Sequence, residues 1–189
     1  MTRVRGRIFG LCALLIAGAA QAERVSEPYG TAGEWEISTE NHHMCAMKRR
    51  YGGRAPEEEQ GLMVLYDPQR QLVSLNWAAR KPPLPPLGAS LDLGLAFLKG
   101  KSMDESWGNQ TFQTEKGDGY LFTHIFTGPK DVQRILRDIA SNQTIALFLG
   151  PSLMTGLYLN ASDAMVKLRE CASKVAEGAP ADPPAGGRP

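Results

Sequence analysis

The sequence predicts an α+β fold: a mainly antiparallel β sheet or sandwich with two helices packed on one side, the second at the C-terminus. Three observations carry this expectation. Runs of alternating apolar and polar residues succeed one another from Trp35 to Phe126, separated by turn chemistry, so strands mostly follow strands. Two segments then switch to helical spacing: Val132, Ile135, Leu136 and Ile139, and later Met165, Leu168, Ala172 and Val175. Between them lies one last pair of strands, which brings the expected total to about eight or nine.

The chain of 189 residues opens on a segment with the layout of a secretory signal, residues 1–22. Arg3, Arg5 and Arg7 precede the apolar run Ile8 to Ala20, and Ala20-Gln21-Ala22 supplies the small residues of a cleavage site. The apolar run is short for a membrane span, so no transmembrane segment is expected in the mature chain, which would be periplasmic or secreted. Removing 22 of 189 residues leaves 167, the size of one domain with a real core. Without the three arginines, 18 basic side chains face 20 acidic ones, which gives no electrostatic case for nucleic acid or an anionic membrane. Cys12 leaves with the signal. Cys45 and Cys171 remain, and an even count in an oxidising compartment predicts a disulfide between them, closing a long loop worth up to about 5 kcal/mol. With no CxxC spacing, a redox or metal pair is the weaker reading.

Residues 23–33, with Pro28, Gly30 and Gly33, read as an extended lead-in to a single domain over 34–177. Trp35 and Ile37 alternate with charged residues as a first strand. Met44 to Arg50 forms a second, with Cys45 and Met47 on one face and Lys48-Arg49-Arg50 closing it. Leu62 to Tyr66 and Leu72 to Trp77 flank Asp67-Pro68-Gln69-Arg70, a turn of hairpin length. Lys81 to Leu87 is proline-rich and reads as a rigid connector. Leu91, Leu93, Leu95 and Phe97 alternate along another strand. Gly100-Lys101-Ser102 after it lacks the upstream glycine of a phosphate-binding loop and reads as a hairpin turn. Trp107, Thr111 and Gln113 make a short polar strand, and Tyr120, Phe122, His124 and Phe126 line one face of the next. Pro129 opens the first helix at a position suited to it. Ile145, Leu147 and Leu149 belong to a central strand, Gly150-Pro151-Ser152 turns the chain, and Leu157 and Leu159 oppose Tyr158. Asn160 or Ser162 can cap the second helix, on which Cys171 lies beside the apolar stripe. Residues 178–189 are Gly, Ala and Pro with little else and read as a disordered tail.

Motifs of catalysis are sparse. His42 and His43 are adjacent, so on a strand they point to opposite faces, and a metal site with His124 is a weak candidate. Gly88-Ala89-Ser90-Leu91-Asp92 lacks the second glycine of a nucleophile elbow. No cofactor is expected. Trp77, Trp107 and Tyr158 are candidates for a binding face, because aromatic residues favour contact sites; core or hairpin packing is the plainer reading of the two tryptophans. The patterns Gly33-Glu34-Trp35, Cys45, Ile135 to Asn142 leading into Thr144 to Leu149, and Leu157-Tyr158-Leu159 before a helix with Ala164 and Leu168 resemble the invasion-associated locus B family of bacterial periplasmic proteins. That resemblance implies a periplasmic β-rich domain with an accessory or host-interaction role and no catalytic residues to carry over. The expected function is a binding or accessory protein without catalytic activity, with a protein partner or small ligand in the cell envelope. The alternatives are a small secreted hydrolase using His124 and a secreted inhibitor of a cell-wall hydrolase, whose charged loop would lie over 52–60.

Overall fold

The computed structural model describes residues 25–52, 55, 58–80, 90–116 and 119–178. The expected signal segment, the proline-rich connector (81–87, with 88–89), residues 53, 54, 56 and 57 of the charged loop over 52–60, and the tail beyond Gly178 lie outside the described residues. In chain order the elements are β1 (Ser26–Ala32), β2 (Trp35–Glu40), β3 (Met44–Tyr51), β4 (Gln60–Asp67), β5 (Leu72–Ala79), β6 (Ser90–Lys99), β7 (Ser102–Lys116), β8 (Tyr120–Thr127), α1 (Pro129–Ser141), β9 (Thr144–Leu149), β10 (Ser152–Tyr158) and α2 (Ser162–Gly178). The strands form one antiparallel sheet in the order β1-β2-β3-β4-β5-β8-β7-β6-β9-β10, so the α+β expectation holds.

Local chemistry accounts for the first half. The β4–β5 hairpin closes on Asp67, whose buried Oδ1 accepts from the Gln69 and Arg70 amides at 3.1 and 3.0 Å. On the inner face, Trp35, Ile37, Cys45, Met47, Val64, Val73, Leu75 and Trp77 alternate with outward residues and are buried. The residues read as a lead-in are instead an edge strand, because β1 pairs with β2 from Ser26↔Glu40 to Ala32↔Trp35. Its register shifts between Pro28 and Gly30, and β10 at the opposite edge shifts between Leu153 and Thr155. Irregular edges of this kind discourage strand addition by another chain.

The second half bends away from the first. The β7–β8 ladder runs from Lys116↔Tyr120 only to Gln113↔Thr123. Beyond it, β7 stays with β6 and β8 stays with β5. The strand expected to be short and polar is therefore 15 residues long, and its first half serves the β6-β9-β10 part of the sheet. That part closes back on the first: Thr155 Oγ1 donates to Gln60 Oε1 at 2.8 Å, and Trp35 Nε1 donates to the Leu159 carbonyl at 2.9 Å. β9 is flanked by β6 and β10, internal but one place from the edge.

Both helices form where their spacing placed them. Pro129 follows Gly128 (φ 84°), and α1 buries Val132, Ile135, Leu136 and Ile139 against β5 and β8. α2 lies beside α1 and across β1 to β4, burying Ala164, Met165, Leu168, Cys171 and Ala172. Its first helical bond runs from the Met165 amide to the Ala161 carbonyl, so the capping position falls on Ala161, between the two residues expected there. Cys171 lies within the buried stripe and joins Cys45 in a disulfide, Cα–Cα 6.1 Å, across a separation of 126 residues.

Candidate functional site

The residues singled out in the sequence do not converge. Trp77 is 1% exposed, stacked on Phe122 at 4.5 Å, with Nε1 donating to Gln60 Oε1 at 2.9 Å. It is a core residue on the inner face of β5. Trp107 is half-buried: its Nε1 donates to Asp138 Oδ2 at 3.0 Å, its edge meets Phe126, and the Arg134 guanidinium lies 4.2 Å from its ring centroid. Tyr158, 53% exposed, is the only one of the three that presents its ring to solvent. The three belong to β5, β7 and β10 and form no common face.

The histidines are also separated. His42 and His43 lie in the β2–β3 turn, where His42 sits 3.9 Å from Glu27 and His43 Nδ1 contacts the Asn41 carbonyl at 2.8 Å. His124 lies three strands away on β8, between Phe112 and Phe126. Its Nδ1 is 2.9 Å from the Thr111 carbonyl, bridging β7 and β8 just where their ladder stops. Its contacts are thus two aromatic rings and a backbone oxygen, the surroundings of a strand-joining residue. Among the described residues no three His, Cys, Asp or Glu side chains gather as a metal site.

Two features were not anticipated. The first is a clamp on the crossover from β10 to α2. Arg49 donates through Nη1 to the carbonyls of Tyr158 and Leu159 at 3.0 and 2.9 Å, and through Nη2 to Glu34. Tyr51 OH donates to the same Tyr158 carbonyl at 3.0 Å. The Arg49 side chain is 10% exposed and its Nε is buried without a partner. Burial pushes the Tyr51 phenol up to about 12, against the opposing pull of the Arg49 charge and with a small push from Glu34. These groups hold backbone, and among the described residues Arg49 Nε is the atom of the clamp left buried without a partner.

The second is a recess on the opposite, outward face. Register pairs Arg50 with Gly61, Gly61 with Ala78, Ala78 with Leu121, and Leu121 with Glu115. These five side-chain positions form one row of cross-strand neighbours over β3, β4, β5, β8 and β7. Four steps between strands make the row roughly 19 Å long. Its middle is glycine, alanine and leucine, and it ends on a cation and an anion. The neighbouring row of Lys48, Met63 and Asn76 makes one wall of a trough of about 320 Å³. Past Arg50, Gly61, Ala78 and Leu121 the trough continues into a cleft of about 700 Å³ at the strand ends, lined by Tyr51, Gln60, Ala79, Tyr120 and Lys116. Gly119 is required there, because a Cβ would stand 2.9 Å from the Ala79 carbonyl oxygen where β8 meets the end of β5. Among the charges around the recess, Lys48 pairs with Glu36 and Arg80 with Glu59. Arg50 and Glu115 take part in no ion pair among the described residues.

Glycine, alanine and two opposite charges carry no motif, so only the register of five strands reveals the row; Lys48-Arg49-Arg50 was the one visible trace. Comparison with protein-family models, curated proteins and solved structures finds no match to the chain.

Proposed function

We propose that this is a non-catalytic binding or accessory protein of an extracytoplasmic compartment, periplasmic or secreted, and that it receives its ligand in the outer recess. The observation that carries this reading is the Arg50–Gly61–Ala78–Leu121–Glu115 row: an apolar floor between two charges that form no ion pair among the described residues, opening into a larger cleft. Pockets that combine apolar lining with a few polar groups are the usual places for recognition. The buried Cys45–Cys171 bond supports the compartment, since such bonds persist where the surroundings are oxidising. The arginine-led apolar start of the chain and its resemblance to the invasion-associated locus B family, with an envelope-accessory or host-contact role, support the same reading. No helix among the described residues is long and apolar enough to cross a membrane.

In-cell crosslinking of the mature protein, paired with a ligand thermal-shift screen, tests the proposal. The variant Ala78→Leu fills the trough from an exposed position and leaves the core untouched. A partner or ligand of the wild-type chain is expected to be lost in Ala78→Leu. One that binds both forms equally would remove the recess from consideration.

A further inference from the structure

The shape of the recess restricts what can lie in it. We propose that the trough is a helix-docking groove, taking the apolar face of an amphipathic α-helix from a partner protein, with the helix N-terminus over Glu115 and its C-terminal end over Arg50. This rests on the reading of the recess as the binding site.

Four features of the row lead there. It runs across the strands, and each of β4 and β5 is already paired on both sides, so the floor has no backbone donors or acceptors to share. An extended peptide lying across it would leave its own amides and carbonyls unmatched over an apolar floor; a helix satisfies its backbone internally. Gly61 and Ala78, at the centre, keep the floor low enough for a helix backbone to approach, as small residues do wherever helices pack closely. A Cβ added at Gly61 would stand 3.8 Å from the Ala78 Cβ, so larger side chains fit there and would fill the groove without disturbing the ladder. Leu121 within the row and Met63 beside it offer adaptable apolar contact.

Charge sets the direction. A helix carries partial positive charge at its N-terminus and partial negative charge at its C-terminus. The row presents an anion, Glu115, at the end where the trough has opened into the larger cleft, and a cation, Arg50, at the other, and neither is neutralised by an ion pair among the described residues. A helix of about 12–13 residues spans the distance between them. The reverse orientation would set like against like at both ends.

Photocrosslinking in the full chain, expressed in its own cells, reads this directly. A benzoylphenylalanine probe at Ala78 is expected to react within an α-helical stretch of a partner. Probes at Lys48 and Gln113, which adjoin the ends of the row on β3 and β7, are expected to react toward the C-terminal and N-terminal sides of that site. Arg50→Glu combined with Glu115→Lys should lower capture by about tenfold or more, because both ends then repel the helix dipole. Gly61→Leu should abolish capture while the disulfide and the circular dichroism spectrum stay unchanged. Crosslinks to a strand, a loop, lipid or glycan, crosslinks in the opposite order, or no capture would each overturn the helix. If capture fails but a small molecule stabilises the wild type and not Ala78→Leu, the binding recess stands and the helix alone falls. If Ala78→Leu changes nothing in either assay, both fall.

Discussion

Arg49 ties three parts of the chain together through one planar group: β3, the residue before β2, and the crossover into α2. Replacing it by alanine removes one of two donors from each of the Tyr158 and Leu159 carbonyls, which keep Tyr51 OH and Trp35 Nε1, and the expected loss is about 1–3 kcal/mol, read by chemical denaturation. Arg49→Lys should recover less than half of that, because one ammonium cannot reach both carbonyls and Glu34 at once, as the guanidinium does through Nη1 and Nη2. Glu34, 74% exposed, matters less, and Glu34→Ala is expected to cost under about 1 kcal/mol. Tyr51 gives the clamp a pH dependence. Its folded pKa, about 12, exceeds the ordinary 10.0, so the native state holds the phenolic proton more tightly than the unfolded chain does. That contribution is complete below pH 10.0 and is lost as the pH rises toward 12. Stability should therefore fall across this window, and Tyr51→Phe should flatten the fall. Ultraviolet titration of the five tyrosines is expected to show one ionising late, and its absence in Tyr51→Phe identifies it.

Among the elements, α1 does more than cover the sheet. Asp138, 1% exposed, accepts from Trp107 Nε1 and from Arg137, and lies 3.6 Å from Arg134, which in turn reaches Glu105 and the Ser106 carbonyl. This network pins to the helix the half of β7 that pairs with β6 and not with β8. Asp138→Ala is expected to cost about 2–4 kcal/mol and to shift Trp107 fluorescence, because a buried donor and two cations lose their acceptor. The α1 helix itself was legible in the sequence, since its stripe depends on spacing within one element. The β4–β5 hairpin was legible for the same reason, through Asp67 and Pro68. What the sequence did not disclose depends on distant partners. Trp107 stands between contact and packing readings until Asp138 is placed beside it, and Ser26–Ala32 reads as a lead-in until β2 supplies its ladder. The recess lies furthest from the sequence, because its floor needs the register of five strands and its residues are individually ordinary.

At the scale of the molecule, the Cys45–Cys171 bond was legible by counting, and its position explains its weight. It joins the third strand to the last helix with both sulfurs in residues that are fully buried. Cys45→Ser with Cys171→Ser is expected to lower stability by about 2–5 kcal/mol. In the native protein, thiol reagents should label neither position after mild reduction, and labelling should begin only with unfolding. The same bond also changes what counts as the backbone. Between its two ends lie 126 positions of sequence separation, so β4 to β10 and both ends of α1 belong to one covalent ring. A peptide bond cut inside that ring opens a circle and leaves a single molecule, with the sheet still assembled around it. Protease-nicked protein should therefore run as one species without reductant and as two with it. For a chain exposed to the proteases of an extracytoplasmic space, a single cut would be damage survived.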